Sequence, residues 1–166
     1  MKNRSSLEKL SFYIKEGDLT NGQNTLDKIL KQRKGLNNEK SIEQQLTVYV
    51  AGPYTPYNAD KHDAARIAHA NTVAAIDFGV DVVDKGHLPY IPHLSHFMHL
   101  HGKKGLSYEY YTTADMVWLD KCDAILFYNH KLGDSKGADK ELAFSIDNDK
   151  LIFFSVNEIP KYKRKG

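Results

Sequence analysis

The chain reads as an α/β protein of three layers, with a mainly parallel sheet of four to five strands between helices. Three observations predict this. Apolar, β-branched or aromatic runs at 46–51, 123–128 and 151–156 have strand length. Stretches with helical periodicity, at 61–79, 108–121 and 137–148, separate them. Strands that alternate with helices in this order build a parallel sheet, whose ligands bind beyond the carboxyl ends of the strands.

Each element has its own warrant. Leu46-Thr47-Val48-Tyr49-Val50-Ala51 is a buried strand that Gly52-Pro53 breaks, delivering a loop. In 61–79, Ala64, Ile67, Ala68, Ala74, Ala75 and Phe78 follow the 3.6-residue period, and Gly79 is the predicted stop. His87-Leu88-Pro89-Tyr90-Ile91-Pro92 reads as a short strand whose prolines confine it to an edge or a strand end. A histidine-rich loop follows, then the helix at 108–121, the strand at 123–128, the helix at 137–148 and the strand at 151–156. The loop after 46–51 and the loop around Ser135 both fall at the ligand-binding edge.

The ends differ from this middle. Residues 1–45 are polar and carry two weakly amphipathic stretches, at Leu7, Leu10, Phe12 and Tyr13 and at Leu26, Ile29, Leu30 and Leu36, joined by the turn Asp18-Leu19-Thr20-Asn21-Gly22. They read as a helical or partly disordered appendage; a DNA-reading helix pair is too faint to prefer. Residues 160–166 form a basic tail. The domain proper is therefore 46–159.

Composition narrows the classes. At 166 residues the chain can bury one good core, and 27% charged with 41% hydrophobic residues is ordinary for a globular protein. No run approaches the ~20 apolar residues of a membrane helix. The N-terminus lacks the apolar core of a secretory signal, so the expected location is cytoplasmic. Residues 1–45 hold nine basic and six acidic residues, residues 160–166 four basic and none acidic, and residues 46–159 ten basic against fifteen acidic. That acidic middle argues against broad capture of nucleic acid. A phosphate would have to be held locally. The only cysteine, Cys122, excludes an intrachain disulfide and reads as a small buried hydrophobe.

Three groups of residues could carry chemistry at the predicted ligand edge. In Ser135-Lys136-Gly137-Ala138-Asp139-Lys140-Glu141, a carboxylate stands six residues past a serine that could cap the helix, roughly 9 Å away along the axis. The unpaired amides of a helix start suit an anion. The plain alternative is an ordinary capped helix with Glu141 in solvent. In Tyr49-Val50-Ala51-Gly52-Pro53-Tyr54, Gly52 permits close backbone approach to a ligand and the Tyr49 hydroxyl can orient a carboxylate; the alternative is a core tyrosine before a simple turn. In 115–123, Asp115 shares a helix face with Tyr111, Trp118 and Leu119, which would desolvate it, raise its pKa and suit it to general-acid work. Its alternative is a surface aspartate. Asp123 reads as structural, at the junction of helix and strand. Together these supply an acid, a nucleophile and an anion seat, the parts needed to cleave a glycosidic bond.

Residues 48–156 resemble the nucleoside 2-deoxyribosyltransferase superfamily, and most closely its 2′-deoxynucleoside 5′-phosphate N-hydrolase branch and the uncharacterised relatives of that branch. The resemblance rests on Val48-Tyr49 followed by Gly52, on Asp115-x-x-Trp118-Leu119-x-x-Cys122-Asp123, and on Ser135-x-Gly137-x-x-x-Glu141. It implies a flavodoxin- or Rossmann-like fold and a homodimer or larger homo-oligomer. It also implies catalysis by Glu141 as nucleophile, Asp115 as the acid that assists the departing base, and Tyr49 as the phenol that positions the nucleophile. Gly52, Pro53, Tyr54, His93, His96, Ser135, Gly137 and Ala138 would bind substrate. Ser135 falls where members acting on free nucleosides tend to carry an aspartate; a serine there donates to a phosphate that an aspartate would repel. The implied activity is hydrolysis of the base–sugar bond of a (2′-deoxy)nucleoside 5′-monophosphate, with base transfer or binding without turnover as the alternatives. The Gly52-Pro53 turn looks more like the transferase version, and 92–99 more like the uncharacterised relatives. The first 45 residues have no counterpart.

His93, His96, His99 and His101 are dense enough to raise a metal site, yet no acidic residue lies between Asp84 and Glu109 to complete one. A base-binding or subunit-contact role fits better, with Phe97 or Tyr90 available to stack on a base. No metal or other cofactor is expected.

Overall fold

A computed structural model describes residues 31, 41–54, 60–128 and 136–163 of the chain. The appendage up to residue 40, apart from residue 31, the Ser135 position and the tail beyond 163 lie outside the described residues.

Four strands form one all-parallel sheet in the order β3 (Leu88–Tyr90), β2 (Thr47–Ala51), β4 (Ala124–Phe127) and β5 (Leu151–Phe153). The helices are α1 (Lys61–Asp84), α2 (Ser95–His101), α3 (Tyr108–Lys121) and α4 (Lys136–Asp147). This is a Rossmann-like three-layer arrangement, as the alternation predicts. Alternate residues of each strand face opposite layers. Val48, Val50, Ala124 and Leu126 pack with Ala75 and Val82 of α1. On the other face Tyr49, Ala51, Ile125 and Phe127 pack with Leu119 of α3 and Ala138, Leu142 and Ile146 of α4. The chain leaves β2 toward one edge of the sheet and returns to the other side of β2 at β4. The carboxyl ends of β2 and β4 thus flank the point where the winding reverses, the place where such sheets form a crevice.

Two boundaries differ from expectation. α1 does not stop at Gly79 but runs to Asp84, and Gly86, at φ 87°, ends it. The Gly86 N–H donates to the Val83 carbonyl at 2.7 Å and the His87 N–H to the Val82 carbonyl at 3.2 Å, closing the last turn. Gly79 serves packing: a Cβ there would overlap the Ile91 side chain. The second difference concerns the ends. Ser41–Ile42 forms a strand, β1, paired in parallel with β6 (Lys161–Tyr162), so the end of the expected helical appendage and the start of the expected tail join each other. His87, fully buried, ties this pair to the sheet. Its Nδ1 accepts from the Leu46 N–H at 3.1 Å and its Nε2–H donates to the Pro160 carbonyl at 2.7 Å.

Other readings hold. The 87–92 segment is an edge strand, and Asp123 is structural: its Oδ2 accepts from the N–H and hydroxyl of Thr47 at 2.7 and 2.8 Å, fixing β4 against β2. Cys122 is buried and its thiol is pushed up to about 11, chiefly by burial, which removes it as a nucleophile at neutral pH. Among the described residues no helix is long and apolar enough to cross a membrane.

Candidate functional site

A cleft of about 520 Å³ opens at the reversal point. Its walls come from four places. The loop after β2 supplies Gly52 and Tyr54; the turn into α2 and α2 itself supply Pro92, His93, Ser95 and His99; α3 supplies Tyr108, Tyr111, Thr112, Asp115 and Met116; and α4 supplies Gly137, Ala138, Lys140 and Glu141. Glu141 and Asp115, predicted from separate motifs, therefore share one cavity. Glu141 faces the cleft rather than open solvent, and the plain reading of its helix is set aside.

Glu141 is held from behind. The Tyr49 hydroxyl donates to Glu141 Oε1 at 2.7 Å. Tyr49 is wholly buried on the sheet and does not line the cleft, so it is a positioning group. Burial, then the charges of Glu141 and Asp115, drive its phenol well above the usual tyrosine range, so it remains a donor. The carboxyl of Glu141 is raised to about 7, first by burial, with the Tyr49 bond opposing and the Asp115 charge adding. Asp115 is raised to about 6 by burial. Two acids in one cavity thus titrate near neutrality, both raised first by burial, with the Asp115 charge adding to the rise of Glu141. Over that interval the pair shares one proton.

The loop after β2 is fixed by side chains from the helical layer. His93 Nε2–H donates to the Pro53 carbonyl at 3.1 Å, Asn71 Nδ2 donates to the Tyr54 carbonyl at 2.8 Å, and the Tyr54 hydroxyl bonds His96 Nδ1 at 2.7 Å. These bonds place the expected binding residues differently around the cleft. Pro53 presents its carbonyl to His93 and is not part of the cleft wall. His96 is buried against Tyr54 and the His69 ring, also away from the wall; its imidazole is lowered by burial and by neighbouring imidazoles. His93 both lines the cleft and anchors the loop. Gly52 lines the cleft too, but its missing side chain makes room for protein: a Cβ there would overlap the Tyr128 ring. Tyr128 is itself buried and stacked on Phe78 at 4.2 Å, so it has nowhere to go. Gly52→Ala is expected to lower stability by ~2 kcal/mol, read as a drop in thermal midpoint; an unchanged midpoint would show that the ring can yield.

Neither aromatic proposed for stacking on a base reaches the cleft. Tyr90 is stacked on Trp118 at 5.1 Å, and Phe97 packs among His69, His96 and His101. The cleft's aromatic wall is Tyr54, Tyr108 and Tyr111 instead. The last two were legible in principle: 108, 111, 112, 115 and 116 follow the i, i+3, i+4, i+7, i+8 face that carries Asp115. His99 belongs to the histidine cluster read as base-binding or subunit-contacting, whereas Lys140 had no such signal. Gly137 and Ala138 line the wall as expected, while Ser135 lies outside the described residues. Among the described residues no group of three or more His, Cys, Asp or Glu side chains could hold a metal ion.

The fold and cleft define a parallel α/β protein with a paired-acid crevice at the point where its sheet reverses direction. Residues 46–154 match a domain of unknown function, DUF7768, and the chain belongs to that family. No curated protein and no solved structure matches it.

Proposed function

We propose that this protein is an N-glycosidase that hydrolyses the base–sugar bond of a (2′-deoxy)nucleoside 5′-monophosphate. The observation that carries the reading is Glu141, clamped by the Tyr49 hydroxyl and facing a cavity it shares with a second raised carboxyl, Asp115. The likeness of the three motifs to the N-hydrolase branch of the nucleoside 2-deoxyribosyltransferases supports the choice of bond.

In the reaction, the Glu141 carboxylate attacks the anomeric carbon and forms a glycosyl ester. The C–N bond breaks, its electron pair stays with the base, and Asp115 supplies the proton. Water then attacks the same anomeric carbon while the Asp115 carboxylate takes a proton from the water. The bond from that carbon to Glu141 breaks, its electron pair returns to the Glu141 carboxylate, and sugar 5-phosphate leaves with both acids restored. No metal or organic cofactor takes part in this scheme. The aromatic wall of Tyr54, Tyr108 and Tyr111 offers faces for a base, on the side of the cleft that carries Asp115.

The chemistry needs Glu141 ionised and Asp115 protonated, one proton for the pair. The Tyr49 bond favours charge on Glu141. In the free protein the higher value belongs to Glu141, so the shared proton rests there. A ligand covering Asp115 strips its remaining water and raises it further, which moves the proton to where the leaving base needs it. Below about 6 both acids are protonated; above about 7 neither is. Accordingly kcat/KM should pass through a maximum between about 6 and about 7 and fall on both sides. A profile flat from mildly acid to mildly alkaline pH would contradict the pairing.

The decisive experiment incubates the protein with the common ribo- and deoxyribonucleoside monophosphates and their parent nucleosides, and follows free base by chromatography. Release of base with sugar phosphate supports hydrolysis. Exchange onto an added second base would mark a transferase, and tight binding with no base released over hours would mark a nucleotide sensor.

A further inference from the structure

We propose that Lys140 is the cation that recognises the substrate's phosphate, so that this residue sets the preference for a nucleoside 5′-monophosphate over the free nucleoside. The inference rests on the glycosidase reading and adds the group that reads the charge of the ligand.

Lys140 sits on α4 beside Glu141 and shares the cleft wall with Gly137 and Ala138. It is the one Lys or Arg among the described residues that line the cavity. Lys140 takes part in neither of the ion pairs Arg66–Asp63 and Lys121–Asp120. In a domain where acidic residues outnumber basic ones by fifteen to ten, an ammonium at a cleft with no carboxylate ion pair among the described residues is available to a ligand.

Its direction also differs from that of its neighbour Glu141. Consecutive residues of a helix leave it about 100° apart, so the Lys140 and Glu141 side chains depart from α4 in different directions. Lys140 therefore addresses a different part of the cavity from Glu141. The cavity presents a proton-sharing carboxyl pair in one region and a positive charge in another. A matching ligand carries its anionic group away from the bond that breaks. A nucleoside 5′-monophosphate has that layout, with the glycosidic bond and the phosphate on opposite sides of the sugar. The ammonium is a compact donor on a flexible stem, suited to meeting a phosphate as a point charge.

The test measures binding in the Glu141→Gln background, where ligand is not consumed. Calorimetry with the four common 2′-deoxynucleoside 5′-monophosphates and their parent nucleosides gives the ratio of the two affinities. Adding Lys140→Gln should reduce that ratio roughly 10- to 100-fold, the value of a hydrogen bond to a charged group, and Lys140→Arg should restore most of it. The preference should also weaken with added salt when Lys140 is present and lose that dependence in Lys140→Gln. A ratio unchanged by Lys140→Gln overturns the assignment and leaves the glycosidase reading standing. Equal loss for monophosphate and nucleoside overturns it as well, since a structural role would act on both. If no monophosphate or nucleoside binds the unsubstituted protein, the glycosidase reading fails and this inference fails with it.

Discussion

Glu141→Ala is expected to lower base release by at least ~10⁴-fold while the protein stays folded and still binds nucleotide. The magnitude follows from losing the covalent route: removal of a nucleophile typically costs 10⁴ to 10⁶ in kcat, because the remaining groups only bind and polarise. Binding survives because the other walls, from the loop after β2, α2 and α3, are untouched. The truncated side chain also leaves space beside Tyr49. A small anionic nucleophile such as azide, added at high concentration, should enter it and restore turnover, with the glycosyl azide as product. Chromatography of free base together with calorimetry separates the two effects. A rate within tenfold of the unsubstituted protein would remove Glu141 from the chemistry. Loss of binding along with rate would make it a ligand contact.

Glu141→Gln should stabilise the fold at alkaline pH even as it abolishes turnover. The carboxyl rises from an ordinary value of 4.5 to about 7 in the folded chain. Below the ordinary value both folded and unfolded states hold the proton, and the group contributes no pH dependence. Between there and about 7 the folded state keeps a proton that the unfolded state has released, so stability falls as pH rises through this window. Above it the cost is constant, on the order of 3 kcal/mol for a shift of this size, less whatever solvent in the cleft relieves. Glutamine carries no charge at any pH, and its amide oxygen still accepts from Tyr49. The variant should melt several degrees higher than the parent at pH 8 and about equally at pH 4. Asp115→Asn should act in the same direction and less strongly. A gap between parent and variant that does not change with pH would mean that Glu141 is not held at a cost. Such a cost is what an active carboxylate kept in a dry position entails.

The residues most legible in advance were those whose roles follow from local pattern. Val48, Tyr49 and Val50 alternate as a buried strand; Asp115 lies on the face of its helix that meets the cavity; Glu141 falls one turn into α4, on the face shared with Gly137 and Ala138. Helix α3 matches its predicted bounds because Ser107 caps it, its side chain accepting from the Tyr110 N–H at 3.1 Å, and Cys122 leaves it in extended backbone. Gly79 misled because a glycine is a stop signal only where the chain must turn; here it lets α1 approach Ile91. The histidines divide for a related reason. His93 and His96 stand close in sequence and invite a shared role, yet one faces the cleft and the loop carbonyl of Pro53 while the other turns inward to the Tyr54 hydroxyl.

By itself the amino-acid order determined the layers, the parallel sheet, the edge position of the 87–92 strand and the identity of two carboxyl groups with chemical potential. Periodicity and turn chemistry act over a few residues, and these features are local. Only the tertiary structure decided that Glu141 and Asp115 share a cavity, that Tyr49 reaches Glu141 across 92 positions of chain, and that Lys140 joins them on the wall. It also decided that Gly52 makes way for the Tyr128 ring while lining the cleft. Those outcomes depend on how the sheet reverses direction and how deeply each helix packs upon it. Packing of that kind is a property of the assembled layers, and no short window of sequence contains it.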